Sequence, residues 1–477
     1  MININKANQK KNICCIGAGY VGGPTMSMIA YKCPNTNITV VDINQERIDL
    51  WNSDNLKKLP IFEPGLKEII SQVRGKNLFF STNVKDAISS ADIIFLSVNT
   101  PTKIKGIGSG KASNLQYLEK SVREIAQYSK GHTIIVEKST VPVRTAEIIK
   151  SILSSTNKAI NNKIKKSYSV ISNPEFLAEG SAINDLEHPD RVLIGGEDQN
   201  AINEISDLYR LWVPDERIIK TNLWSSELSK LAANAFLAQK VSSINSIGAI
   251  CEKTGADIKE VAKAIGSDKR IGKKFIDVGP GFGGSCFKKD IMSLVYLCHF
   301  YRLDEVAKYW ENVLIINNWQ QERISQLIIE KLFGTIENKK IAILGFAFKA
   351  NTNDIRESPA IKVCKDLLLE GAYLSVYDPK VEEDKIFEEF NKLDKVRPQT
   401  QSNDLWDQVN SVEKALSGAD AAVILTEWDE FKRLNWEKLS SLMRKPAWIF
   451  DTRNILDTSK LNFNNINIWM NGKDISS

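Results

Sequence analysis

Histidine is scarce in this chain of 477 residues. Its three copies, His132, His188 and His299, leave little from which to build a histidine-ligated metal centre or a Ser-His-Asp triad, and no metal site is expected. The seven cysteines are odd in number, contain no CxxC pair and follow no regular spacing. They read as reduced thiols of a cytoplasmic protein and not as a disulfide framework. No apolar run approaches the ~18 residues that span a bilayer; the longest, such as Ile93–Leu96 and Ala421–Leu425, have the length of buried strands. The opening MININKANQKKN carries Lys6, Lys10 and Lys11 but no apolar core, so neither a membrane nor a secretory route is expected. An excess of one charge is missing too: 63 Lys and Arg against 58 Asp and Glu give a net +5, too weak a field for nucleic acid. A mild positive bias does suit a phosphorylated ligand.

What is present is an ordinary globular composition, 43% hydrophobic and 25% charged, over a length that fits about three domains. From Asn12 short β-rich runs alternate with helical patterns: Ile13–Ile16, Ile38–Val41, Phe79-Phe80, Ile93–Val98, Ile134–Val136 and Val170-Ile171. This rhythm predicts a parallel, helix-covered sheet. The polar stretch Ser154–Ser167 reads as an exposed excursion between elements. From Asn222 to Lys253 apolar residues recur at helical spacing with no proline, which predicts one long helix, and helical text continues to about Phe333. A second alternating region opens at Lys339, with strands near Leu374–Tyr377, Ala422–Leu425 and Trp448–Phe450. The expected fold class is α/β: two Rossmann-like doubly wound domains, 1–221 and 334–477, joined by a helical middle, 222–333, that contains the long helix.

Three features carry chemistry. The first is Gly17-Ala18-Gly19-Tyr20-Val21-Gly22, which follows a strand and opens a helix, with Asp42 closing the next strand twenty residues after Gly22. The first glycine allows the tight turn, the second lets backbone approach a pyrophosphate, and the third lets helix and strand pack closely. Asp42 would accept hydrogen bonds from ribose hydroxyls and repel a 2′-phosphate, so NAD is expected over NADP. Arg47 is either a stacking partner for adenine or a plain surface residue.

The second is Gly281-Phe282-Gly283-Gly284-Ser285-Cys286, which places one thiol at the first turn of a helix, with Lys288 and Lys289 beside it and Asp290 on the same face. Helix dipole and lysines would favour the thiolate. The other six cysteines read as small buried hydrophobes. The third is Glu227, Lys230 and Asn234, a polar stripe at i, i+3 and i+7 of the long helix. Either it is a solvated face with a Glu227–Lys230 ion pair, or it is buried and needs partners.

The motifs GAGYVGG at Gly17, SVNTPT at Ser97, EKSTVPV at Glu137, NPEFLAEG at Asn173, SSELSKLAANAFLA at Ser225, GFGGSCFKKD at Gly281 and GFAFKANTNDIRES at Gly345 occur in that order. With them, the chain from Lys11 to about Leu456 resembles the UDP-glucose/GDP-mannose dehydrogenase family. The resemblance implies an NAD-dependent oxidation of the C6 alcohol of UDP-glucose to the carboxylate, with two NAD reduced per turnover. A related enzyme for a UDP-N-acetyl sugar or GDP-mannose is the alternative, and a nucleotide-sugar binding protein without catalysis is a third reading.

The resemblance makes Cys286 the nucleophile, gives Lys230 and Asn234 an oxyanion to stabilise, and leaves Asp290 and Glu175 to handle protons, with Thr140 positioning a water. It assigns the cofactor to Gly17, Ala18, Gly19, Tyr20, Val21, Gly22, Asp42, Arg47, Val98, Asn99, Thr100, Pro101, Thr102, Ser139, Thr140, Glu179, Cys286, Lys289 and Arg356. The substrate falls to Glu175, Phe176, Leu177, Ala178, Glu179, Lys230, Asn234, Arg270, Gly281, Phe282, Gly283, Phe348, Lys349 and Arg453. It further implies a homo-oligomer, a dimer through the long helix or a hexamer built from dimers, in which Arg270 reaches a neighbouring subunit. Asp277 stands where animal-type members carry Lys, and Thr452-Arg453-Asn454 replaces their Gly-Arg-Arg while keeping the arginine.

Overall fold

The computed structural model describes residues 11–159, 166–394, 405–457 and 466–473. These fall into two compact units, one formed by 1–233 with 292–301 and the other by 234–291 with 302–477. The long helix Leu223–Thr254 and the helix Phe287–Phe300 each contribute residues to both.

The first unit is built on an eight-stranded sheet: β1 Asn12–Ile16, β2 Asn37–Val41, β3 Leu78–Ser81, β4 Ile93–Leu96, β5 His132–Glu137, β6 Ser167–Ser172, β7 Val192–Gly196 and β8 Ile218–Thr221. Their order, β3-β2-β1-β4-β5-β6-β7-β8, has the doubly wound arrangement with its switch between β1 and β4. Strand residues alternate between two buried faces: Ile13 and Cys15 join one apolar cluster, Cys14 and Ile16 the other. Burial on both faces explains why these strands read as continuous apolar runs and not as alternating ones.

Two expectations need correction. The sheet is not wholly parallel, because β6 and β7 pair antiparallel at Ile171↔Gly196 and Ser172↔Gly195. The polar stretch from Ser154 is not an excursion over its first part either; the helix Thr145–Ala159 runs through it, and 160–165 lie outside the described residues. Ser, Thr, Asn and Lys occur in helices as well as in loops, so polarity alone did not separate the two.

The second unit carries a six-stranded parallel sheet: β9 Lys340–Leu344, β10 Tyr373–Tyr377, β11 Trp406–Gln408, β12 Ala421–Ile424, β13 Ala447–Asp451 and β14 Ile466–Met470. Its order, β11-β10-β9-β12-β13-β14, repeats the first six positions of the other sheet. One core of strand side chains also takes in Ile324 and Ile328 of the helix Asp304–Lys331. Among the described residues no helix is long and apolar enough to cross a membrane, and no cluster of three or more His, Cys, Asp or Glu is placed to hold a metal ion.

Candidate active site

The turn after β1 is shaped by its glycines. Gly17 has φ +111° and donates to Val41 O at 2.8 Å, and a Cβ there would lie 2.4 Å from Ser97 O. A Cβ on Gly22 would lie 1.9 Å from Gly17 O, whereas one on Gly19 would meet nothing within 4 Å. The first and third positions are therefore closed by packing and the middle one opens onto space, which is the cradle a pyrophosphate needs. Trp51 supports the turn by donating from Nε1 to Ala18 O at 3.0 Å while stacking on Phe80.

Asp42 follows β2. Its Oδ2 accepts from Ala18 N and from Arg47 Nη1, both at 3.0 Å, and its Oδ1 accepts from Asn44 N. Arg47 is thus held by Asp42, which favours neither of the two readings left open for it. Beyond β4, Ser139 donates to Val98 O at 2.7 Å, and Thr100 donates to the carbonyl of Thr140 at 2.8 Å. The Val98–Thr102 and Ser139-Thr140 segments are tied together.

Glu175 is buried, and its carboxylate has four partners. Lys138 Nζ lies 3.0 Å away, Thr25 Oγ1 donates at 3.3 Å, and the backbone N–H groups of Phe176 and Leu177 donate at 2.7 and 2.9 Å. Burial pushes this carboxyl up, but the Lys138 ammonium and the hydrogen bonds outweigh it and hold the group below its ordinary value. Lys230 adds to that field, and its Nζ sits 5.3 Å from the ring centroid of Phe176, over which the Arg191 guanidinium also lies at 3.8 Å.

The stripe on the long helix is buried: Glu227, Lys230 and Asn234 are 2%, 8% and 5% exposed. The solvated-face reading fails, and so does the Glu227–Lys230 pair, because Glu227 accepts from the backbone N–H groups of Arg144 and Ala146 at 2.6 and 2.8 Å.

In the second unit, Cys286 is exposed at the start of the helix Phe287–Phe300, and its carbonyl accepts from Asp290 N at 2.8 Å. Asp290 is buried, and Asn234 Nδ2 donates to its Oδ2 at 2.5 Å. Lys288, expected to face the thiol, is instead paired with Glu357 at 2.8 Å. Lys289 Nζ lies 4.0 Å from Asp290 Oδ1. The six other cysteines are buried, and desolvation pushes Cys15 and Cys33 up to about 12.

The loop before Cys286 is held by buried amide side chains and, at Gly284 N, by the carbonyl of Arg356 at 2.8 Å. Gly279 N donates to Asn245 Oδ1 at 2.9 Å, and Gly279 O accepts from Gln320 Nε2 and Asn471 Nδ2, both at 3.0 Å. Asn317 accepts from Phe282 N at 2.8 Å and donates to Phe282 O at 3.3 Å. Gly283 fits where a Cβ would lie 2.4 Å from Glu357 O and 2.9 Å from Phe348 Cβ, and a Cβ on Gly281 would lie 2.8 Å from Asn317 Oδ1. Arg453 donates to Leu425 O and Phe348 O and pairs with Glu427 at 3.1 Å. It borders a cavity of about 340 Å³ that Lys259, Lys432 and Asp277 also line.

Lys349 extends over the neighbouring Phe348 ring, and the Arg356 guanidinium is bound to Asp354. Arg270 is not brought to this loop in the chain described: its side chain is 89% exposed and paired with Asp268 at 2.6 Å. Sequence reading missed Lys138, Arg191, Asn245, Asn317, Gln320 and Asn471. Of these, Lys138 alone lay within a quoted motif; Asn245, Asn317 and Gln320 look like ordinary polar positions on helices, and Asn471 like a turn residue after β14.

Family models match three successive parts of the chain: the NAD binding domain of the UDP-glucose/GDP-mannose dehydrogenase family over 11–213, its central domain over 224–319 and its UDP binding domain over 342–458. The UDP-glucose 6-dehydrogenase of Mus musculus is 53% identical, with 98% of this chain and 94% of that protein covered. UDP-glucose 6-dehydrogenase 5 of Oryza sativa subsp. japonica is 52% identical, with 98% of each covered. The chain belongs to the UDP-glucose/GDP-mannose dehydrogenase family.

Among solved structures, a UDP-glucose dehydrogenase from Pyrobaculum islandicum superposes with a TM-score of 0.81 at 27% identity, covering 98% of both chains. A UDP-D-ManNAc dehydrogenase from Pyrococcus horikoshii gives 0.77 at 26%, covering 97% and 99%. NAD is the cofactor of this dehydrogenase family, and the open middle position of the glycine turn fits it. Gly22→Ala, which drives a Cβ into Gly17 O, is therefore expected to raise the Kd for NAD at least about tenfold, or about 1.4 kcal/mol. A fluorescence titration with NAD, run beside a thermal melt to separate local from global damage, checks this.

Proposed function

We propose that this dehydrogenase oxidises the C6 alcohol of UDP-glucose to the carboxylate in two successive steps, with Cys286 as covalent nucleophile. The observation that carries the reading is the exposed Cys286 at a helix start, with the buried Asp290–Asn234 pair one turn behind it. Gly17 to Gly22, Asp42, Val98 to Thr102 and Ser139 would hold NAD, which when bound takes up a hydride in each oxidation.

The chain's own residues do the remainder. The Cys286 sulfur adds to the aldehyde carbon, and the new C–S bond makes that carbon tetrahedral with an oxygen that bears negative charge. Lys230 supplies positive charge and Asn234 an N–H to that oxygen, a preorganised electrostatic task. Loss of the second hydride leaves a thioester on Cys286. Water then attacks the thioester carbon, the C–S bond breaks, the thiol is regenerated, and the water oxygen stays in the carboxylate. Asp290 takes the proton from that water, with Thr140 orienting it. Glu175 has a poor claim to the role of base, because its four partners already stabilise the ionised form. It acts instead as a fixed negative charge beside Lys138 and Lys230.

Arg453, Lys349, Phe348 and the amide-held loop Gly281–Gly283 would bind the substrate, and Lys259, Lys432 and Arg453, which outnumber Asp277 and Glu427 in the same lining, would supply positive charge for a diphosphate. Arg270, exposed in this chain, would serve a second copy of it. The division into an NAD part (1–221), a central part (222–333) and a UDP part (334–477) follows the same assignment. Incubation with UDP-glucose and excess NAD is expected to give two NADH per uronate. One NADH per turnover with free aldehyde as product would overturn the scheme, and a higher kcat/KM for a UDP-N-acetyl sugar or GDP-mannose would reassign the substrate.

A further inference from the structure

Glu137 and Glu227 form a buried acidic pair that the scheme above does not use. Glu137 ends β5 and is 1% exposed, and Glu227 stands on the long helix one turn before Lys230. The two oxygens of Glu227 are engaged by the N–H groups of Arg144 and Ala146, where the helix Thr145–Ala159 begins. Those amides lack helical partners, and a carboxylate is the favoured group at such an end.

Glu137 is placed differently. Among the described residues no N–H or hydroxyl donates to either of its oxygens, and its neighbour is the carboxyl of Glu227. A buried carboxylate with no donor beside a second carboxylate is too costly to persist, whereas a carboxylic acid there donates its own O–H. Burial first, then the adjacent Glu227, pushes Glu137 well above its ordinary value.

The other charges nearby are already matched. Glu147, on the helix Thr145–Ala159, is paired with the Arg144 guanidinium at 3.0 Å. Lys138, next to Glu137, is taken by Glu175 and the Tyr209 hydroxyl. Lys230 lies toward Phe176.

We propose that Glu137 and Glu227 share one proton, held on Glu137, and that the pair is a strap across the base of the 138–144 segment, fixing Ser139 and Thr140 beside the helix that bears Lys230. Glu137 starts that segment and Glu227 grips its last amide, so the segment is held at both ends. Both are positioning residues; the effect on turnover rests on the role assigned above to Thr140, while the shared proton does not.

Three variants test it. Glu137→Gln keeps a donor toward Glu227 but has no proton to lose, Glu137→Leu removes the donor, and Glu227→Gln gives up one of the two amide acceptors. A carboxyl raised in the folded state makes stability fall as pH climbs from its ordinary value through the raised one. The melting temperature of Glu137→Gln relative to the parent should therefore rise steadily from about pH 5 upward. Hydrogen exchange at Arg144 and Ala146 should speed up at least about tenfold in Glu227→Gln. Parallel melting curves overturn the shared proton, and unchanged exchange overturns the hold of Glu227 on the 138–144 segment.

Glu227→Gln and Glu137→Leu should lower kcat about tenfold to a hundredfold with KM for UDP-glucose within about threefold, the scale of a small misplacement. Glu137→Gln should restore most of what Glu137→Leu loses. Wild-type kcat in Glu227→Gln overturns the positioning role. A parent enzyme that does not turn over UDP-glucose would instead strike the proposed function, with the melting and exchange results still standing.

Discussion

Cys286→Ser is expected to cut uronate formation by on the order of a thousandfold or more, the scale of losing a covalent nucleophile. The serine hydroxyl is a far weaker nucleophile than a thiol or thiolate at neutral pH, so addition to the aldehyde becomes the blocked step. The first oxidation needs no sulfur. Quenched single-turnover samples should then contain about one NADH per active site and an aldehyde that a carbonyl reagent traps. Uronate appearing within about tenfold of the parent rate would remove Cys286 from the chemistry. Six of the seven thiols are buried, and several are pushed up by desolvation, so alkylation of the native protein should label Cys286 far ahead of the rest and abolish activity in proportion.

Lys230→Ala is expected to lower kcat by about a hundredfold to a thousandfold, as removal of one preorganised donor to an oxyanion does. The residue is 8% exposed, and a water in the space left by the truncation would be neutral and would not replace its charge. Because it also contributes to the field that keeps Glu175 ionised, the same change should let the Glu175 carboxyl move back toward its ordinary value. Lys230→Arg, which retains charge but changes shape, should recover part of kcat and none of the geometry. Steady-state kinetics of the two variants at saturating NAD check this, and equal kcat for parent and Lys230→Ala would take Lys230 out of the scheme.

Both sheets were legible because each strand buried on two faces writes a short apolar run into the sequence, and because the glycine turn after β1 has a fixed geometry. β7, β8, β11 and β14 were not read from the sequence. β8 has exposed residues at Ile219 and Lys220, and β7 joins through an antiparallel pairing that a βαβ rhythm does not anticipate. The candidate site divides in the same way. Cys286 at a helix start and Asp42 at a strand end were placed by their local setting, whereas the stripe that bears Lys230 stood open between two readings that its burial separates.

The partners of Glu227 were not legible, because they are backbone amides more than eighty positions away and no side-chain pattern marks them. The same holds for Asn245, Asn317 and Gln320, whose polar character on helices looks like solvent exposure until the loop they hold is placed against them. Lys288 shows the converse: sequence proximity to Cys286 suggested a partnership, and its ammonium is paired with Glu357.

The hold on Gly279 has a consequence for biogenesis. One of its two carbonyl partners is Asn471, which follows β14, and the next residue, Gly472, is itself fixed by Glu252 and by Ile258 of the central region. Asn245 precedes Cys286 in synthesis, and Asn317 and Gln320 follow within a few dozen residues, but Asn471 leaves the ribosome long afterwards. The last of the loop's carbonyl contacts therefore waits until β14 has emerged. A nascent chain stalled before β14 should bear a Cys286 that reacts but is not yet aimed.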